Sequence, residues 1–132
     1  MKKLDVRMEH TEGVARQADV WVDGRLLTVC DSISSPACRC APGPLEGVKF
    51  FYPSLEGFSW TRAVGGNRDG KYRLEHIRHW SYVGYGRVVG IMPVLINFGL
   101  LTMEDPNWSD QESLIGKYVK VPIDCLEITR AQ

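Results

Sequence analysis

The dipeptide Asp23-Gly24 constrains this chain most, because it sits between two runs, Ala18 to Val22 and Arg25 to Val29, that read as strands. A two-residue hairpin turn needs positive φ at both central positions, and Asp-Gly is among the few pairs that accept it. The turn then fixes the register: Val22 faces Arg25, Trp21 faces Leu26, Val20 faces Leu27 and Ala18 faces Val29. Ala18, Val20, Leu27 and Val29 share one face of this hairpin, and Trp21 and Leu26 share the other. An antiparallel sheet is therefore the expected frame.

Upstream, Leu4, Val6 and Met8 alternate with Asp5, Arg7 and Glu9, the period of a half-buried strand. Residues 31–47 are rich in Ser, Pro, Gly and Cys and form a long loop. Val48 to Tyr52 reads as a strand stopped by Pro53, and Phe58 to Val64 as another, ended by the turn 65–70. The stretch 71–80 fits a strand with Tyr72, Leu74, His76 and Trp80 on one face. As a helix it would offer only the narrow stripe Leu74, Ile77 and Ser81. Tyr82 to Ile91 and Val94 to Met103 are two strands, or one bent at Pro93. Ser109 followed by Glu112 has the spacing of a capping box, which places a short helix at 110–115, ended by Gly116. Lys117 to Val121 and Ile123 to Ile128 complete the sheet around Pro122.

Nine or ten short strands with frequent turns predict an all-β fold, a small barrel or a sandwich of mainly antiparallel strands. The 132 residues suit one domain spanning 1–132, with no internal repeat and no linker. The last segment, a short helix followed by Gly116 to Val121, is similar in architecture alone to the end of a five-stranded OB barrel. If one barrel type is named, OB-like is the choice. No residue motif accompanies that similarity, so it transfers no function.

Sixteen basic residues balance sixteen acidic ones, and each half of the chain holds eight of each sign. Strong nucleic-acid binders usually carry a net positive field, so any such surface here is local. The start, Met1 to Arg7, is basic but lacks the apolar run of a secretory signal, which predicts a cytoplasmic protein. The most apolar stretch, Val88 to Met103, is too short to span a bilayer and is interrupted by Pro93, Asn97 and Gly99, so no membrane partner is expected. Cys30, Cys38, Cys40 and Cys125 would then stay reduced, as mostly buried thiols.

The cysteine spacing, Cys-x₇-Cys-x-Cys with a distant Cys125, departs from the paired Cys-x₂₋₄-Cys pattern of structural zinc sites. Metal binding would require Cys125 to fold back beside the loop, and inert thiols are the expectation. His76 and His79 point to opposite faces of a strand, so they do not form a metal pair. Gly84-Tyr85-Gly86-Arg87-Val88-Val89-Gly90 lacks the spacing and the strand-turn-helix context of a dinucleotide fingerprint. Its glycines fit a bent or bulged strand instead. The acidic residues Glu104, Asp105, Asp110 and Glu112 read as a solvated loop beside a helix cap. No cofactor, metal site or nucleophilic triad is expected.

The stretch from Arg68 to Arg87 carries the strongest binding signal. It holds Arg68, Lys71, Arg73, Arg78 and Arg87 against Asp69 and Glu75, with His76, His79, Trp80, Tyr82 and Tyr85 interleaved. Rings on a sheet face can stack on bases while cations meet phosphates. The expected ligand-binding set is Arg73, His76, Arg78, Trp80, Tyr82, Tyr85 and Arg87. Set against it, the rings can be core or cross-strand pairs and the charges a solvated face. The leading expectation is a non-catalytic module for single-stranded nucleic acid or another anionic ligand. The alternative is an interaction domain that pairs with another chain, or with its own copy as a homo-oligomer, through a sheet edge. A small enzyme with a barrel pocket is the third.

Overall fold

A computed structural model describes residues 3–131. The chain forms β1 (Val6–Thr11), β2 (Gln17–Val22), β3 (Arg25–Ser32), β4 (Gly43–Leu45) and β5 (Val48–Phe51), then helix α1 (Trp60–Gly65). It continues through β6 (Arg73–Arg78), β7 (Ser81–Gly90), β8 (Val94–Asn97) and β9 (Thr102–Asp105), a 3₁₀ turn at Glu112–Leu114, β10 (Tyr118–Ile123) and β11 (Glu127–Arg130). Six strands make one sheet in the order β4-β1-β2-β3-β11-β5, and the other five make a second. The protein is therefore mostly β and sandwich-like. Neither sheet closes on itself, so the arrangement is not a closed barrel.

The Asp23-Gly24 hairpin has the expected register at every pair. Asp23 has φ 46° and Gly24 φ 83°, the positive values that the turn requires. Ala18, Val20, Leu27 and Val29 are buried, while Trp21 and Leu26 face outward. Burial on one face supports the register set by the turn, because a one-residue slip of either strand would turn its core side chains to the outside.

In the second sheet, β7 is the axis. Strand β10 runs along one edge of it, opposite Tyr82 to Arg87. Strands β6 and β8 share the other edge, β6 beside Ser81 to Tyr85 and β8 beside Arg87 to Gly90. Two glycines make this crowding possible. A Cβ on Gly86 would lie 2.3 Å from the carbonyl oxygen of Asn97, and one on Gly84 would lie 2.5 Å from the Phe98 ring. Register shifts in β7 between Val88 and Gly90, as the expected bulge requires.

Side chains from both sheets share one core, with Val20, Val22, Val29 and Ile128 from the first and Val88, Ile96, Val119 and Ile123 from the second. Two tyrosines tie the sheets by polar contacts. Tyr82 on β7 reaches the backbone of Thr28 on β3, and Tyr52, just past β5, donates to the Asp105 carboxylate at the end of β9 at 2.6 Å. Asp105 is buried by this arrangement, which corrects the reading of that acidic segment as wholly solvated.

Three local expectations are also corrected. Phe58 to Val64 is not a strand: Ser59 caps α1 by accepting from the Arg62 amide, and Ala63 supplies the buried contact. The segment 110–115 holds only the 3₁₀ turn, because Ser109 Oγ accepts from the nearer Gln111 amide instead of completing a capping box. Pro122 interrupts nothing. It lies within β10, an edge strand, where its missing N–H can face away from the ladder.

The loop after β3 is organised by Asp31. Its buried carboxylate accepts from the hydroxyls of Thr11 and Ser34 and from the amides of Ile33 and Ser34. Burial alone would raise its pKa, but these four donors outweigh it and hold the carboxyl below its ordinary range.

Candidate ligand-binding face of the second sheet

Alternation along β7 divides the predicted binding set. Tyr82, Gly84, Gly86 and Val88 point into the core, and Val83, Tyr85, Arg87 and Val89 point outward. On β10, Val119, Val121 and Ile123 are buried and Tyr118, Lys120 and Pro122 lie on the outer side. Tyr118 pairs with Arg87, and Lys120 with Tyr85; on the other edge Arg73 pairs with Tyr85. One outward face thus carries Arg73, Tyr85, Arg87, Tyr118 and Lys120.

The preceding turn extends this face. Lys71 Nζ lies 5.3 Å from the centre of the Tyr85 ring, and Lys120 Nζ lies 5.9 Å from the same centre. The guanidinium carbon of Arg87 is 5.8 Å from the Tyr118 ring, and its Nε donates to the Gly116 carbonyl at 3.2 Å. Tyr72 packs edge-on against Tyr118 with ring centres 5.7 Å apart. Cations and rings are interleaved here by cross-strand pairing, not by sequence adjacency.

Asn67 holds the turn in place. It is 4% exposed, and its side-chain nitrogen donates to the carbonyls of Lys71, Gly86 and Val119, while its oxygen accepts from the Lys71 amide. One buried amide therefore joins the turn carrying Lys71 and Tyr72 to both β7 and β10.

Of the seven predicted residues, Arg73, Tyr85 and Arg87 come together on this face. Arg73 is also in an exposed ion pair with Glu75, at 3.1 Å. Tyr82 is 3% exposed, so its ring is packed in the core and offers no stacking surface. His76 pairs with Tyr82 across the strands, its ring 5.1 Å away, and its Nε2 meets the His79 carbonyl. Arg78 lies opposite Ser81 at the tight turn, and Trp80 lies in that turn beside Gln17 and Arg16. These four do not join the cluster. Sequence reasoning left Lys71, Tyr72, Tyr118 and Lys120 out of the binding set. The alternation Tyr118-x-Lys120-x-Pro122 was the visible signal for one outward face, but nothing local showed that β10 would lie beside β7.

A groove of about 950 Å³ lies elsewhere, between β4, β5 and the β9 segment. Tyr52 lines this groove, and its hydroxyl is bonded to Asp105. Burial raises both groups, and the hydrogen bond between them occupies the tyrosine proton. Among the described residues no helix is long and apolar enough to cross a membrane. Comparison with family models, with curated proteins and with solved structures gives no match for this chain.

Proposed function

We propose that this protein is a non-catalytic binding module whose ligand is a single-stranded nucleic acid held on the outer face of β7 and β10. The observation that carries this reading is the placement of Tyr85 between Lys71 and Lys120, with the Arg87 and Tyr118 pair one register step away. Single strands are bound by rings that accept bases of any sequence and by cations that track the phosphates, and this face supplies both at neighbouring positions. The neutral balance of the whole chain agrees with a local patch and modest affinity. A labelled single-stranded oligonucleotide titrated at low salt should show rising anisotropy that weakens as salt increases. Absence of any change with either DNA or RNA strands at low salt would remove the proposal.

A second reading draws on Val89 and Leu95, which are exposed on neighbouring strands at the far end of the same sheet, 49% and 37% respectively. That apolar end, beside the open edge of β9, suits contact with another copy of the chain. Light scattering across concentrations distinguishes it: a strict monomer removes self-association.

A further inference from the structure

Away from the proposed binding face, the first sheet brings together three groups that the sequence keeps far apart. Strand β11 lies parallel to β3 with Glu127 opposite Cys30, and the Cys30 amide donates to the Leu126 carbonyl at 2.8 Å. Cys125 is two residues before Glu127, so an extended chain projects both side chains to the same side. The Sγ atoms of Cys30 and Cys125 and a carboxylate oxygen of Glu127 all lie within 4.8 Å of one another.

We infer that Cys30, Cys125 and Glu127 form a binding site for a borderline-soft divalent cation of the zinc class. Zinc takes thiolate sulfur at about 2.3 Å and carboxylate oxygen at about 2.1 Å, which in a tetrahedron sets ligand atoms about 3.5–3.8 Å apart. The observed separations, none above 4.8 Å, lie no more than about 1.3 Å beyond that spacing. Cys30 is buried, whereas Cys125 and Glu127 are only partly so, leaving a route for the ion and room for water as fourth ligand. Ser32 Oγ donates to Glu127 Oε1 at 3.3 Å, a bond of the kind that second-layer partners make to metal-ligating carboxylates.

The surrounding charge agrees with a cation. Glu127, Asp31 and Asp124 place negative charge near the two sulfurs. No cation pairs with Glu127 among the described residues. Cys38 and Cys40 are not part of the cluster; their sulfurs approach the carbonyls of Arg39 and Ala41 in their own loop. The site thus uses the two cysteines with no paired spacing in the sequence and leaves out the Cys-x-Cys pair.

The test is titration of the full chain with Cd²⁺ and Zn²⁺ after reduction by a phosphine. The expected result is one ion per chain, thiolate-to-metal charge-transfer absorption with Cd²⁺, and a Tm raised by Zn²⁺. Cys125→Ser should lose the absorption and the Tm shift while keeping the metal-free Tm near that of the parent. Glu127→Gln should keep the absorption and weaken binding on the order of tenfold or more. The double variant Cys38→Ser/Cys40→Ser should bind as the parent does. No stoichiometric binding by the reduced, folded parent overturns the inference, as does binding that survives Cys125→Ser and disappears in the Cys38/Cys40 variant.

Discussion

The hydroxyl of Tyr82 lies 2.9 Å from both the amide nitrogen and the carbonyl oxygen of Thr28, donating to one and accepting from the other. Strand β11 pairs with β3 only at Cys30 to Ser32, so the backbone of Thr28 lies beyond the end of that ladder. A side chain from the second sheet satisfies the two groups that a longer β11 would have met. Burial is the larger influence on this phenol and raises its pKa, so it stays protonated and able to donate.

Tyr82→Phe should therefore destabilise the fold without touching the binding face. It leaves a peptide N–H and C=O beside the core with no partner, which costs about 1–3 kcal/mol. Urea unfolding should show a lower midpoint with an unchanged slope. Unchanged stability would mean that water replaces the hydroxyl at no cost.

Two buried carboxyls should give opposite pH dependences. The Asp31 carboxyl is held below the unfolded value of about 3.9 by its four donors, so its contribution is present above that value and is lost as pH falls through the folded pKa. Asp105 is raised, chiefly by burial, so folding favours its protonated form. Stability is lost as pH rises from about 3.9 through its folded pKa. Asp31→Asn should flatten the acid loss and cost about 2–3 kcal/mol near neutrality, because charged hydrogen bonds are replaced. Asp105→Asn should flatten the opposite trend. Unfolding midpoints taken from about pH 3 to about pH 7 check both signs.

Gly86→Ala tests the crowding at the axis of the second sheet. The added methyl would stand 2.3 Å from a backbone oxygen, which cannot rotate away as a side chain would. A loss of about 1–3 kcal/mol or more is expected from the forced backbone shift. A fully stable variant would show that β8 can separate from β7 at Asn97.

On the binding face, cation removal and ring removal should have different signatures. Replacing Lys71 and Lys120 by alanine removes two phosphate contacts, so the slope of log K against log salt should become shallower by about 1.4 for a single strand. Tyr85→Ala should instead cost about 1–3 kcal/mol with the slope nearly unchanged, since stacking releases no counterions. Equal slopes for the parent and the lysine variant would place any bound strand elsewhere.

The hairpin and its faces were legible because a two-residue turn and a period-two pattern act within a dozen residues. Phe58 to Val64 reads as a strand because Phe58, Ser59 and Trp60 suggest alternation. The helical spacing Trp60, Ala63 and Val64 after a capping Ser59 was the competing signal, and it won once Ala63 found the core. Strand order was not legible at all. Cys30 meets Glu127, and Tyr85 meets Lys120, through pairings set by how two sheets share a core, and no local residue pattern encodes those. Parity along β7 did separate core from surface, which is why Tyr82 and Tyr85 have different fates.

Asn67 connects stability to binding, and its removal should lower both. Asn67→Ala leaves the carbonyls of Gly86 and Val119 without their side-chain donor and frees the turn at Lys71, at a cost of about 1–3 kcal/mol. Asn67→Asp should be at least as harmful, because it presents acceptors to three carbonyl oxygens. The cation and ring that this turn contributes, Lys71 and Tyr72, then lose their fixed position against Tyr85 and Tyr118. Affinity for a single strand should fall even at temperatures where the variant is fully folded. The comparison that decides this is Tyr82→Phe, expected to match its loss of stability but not its loss of affinity; equal affinities for the two variants would mean that the turn plays no part in binding.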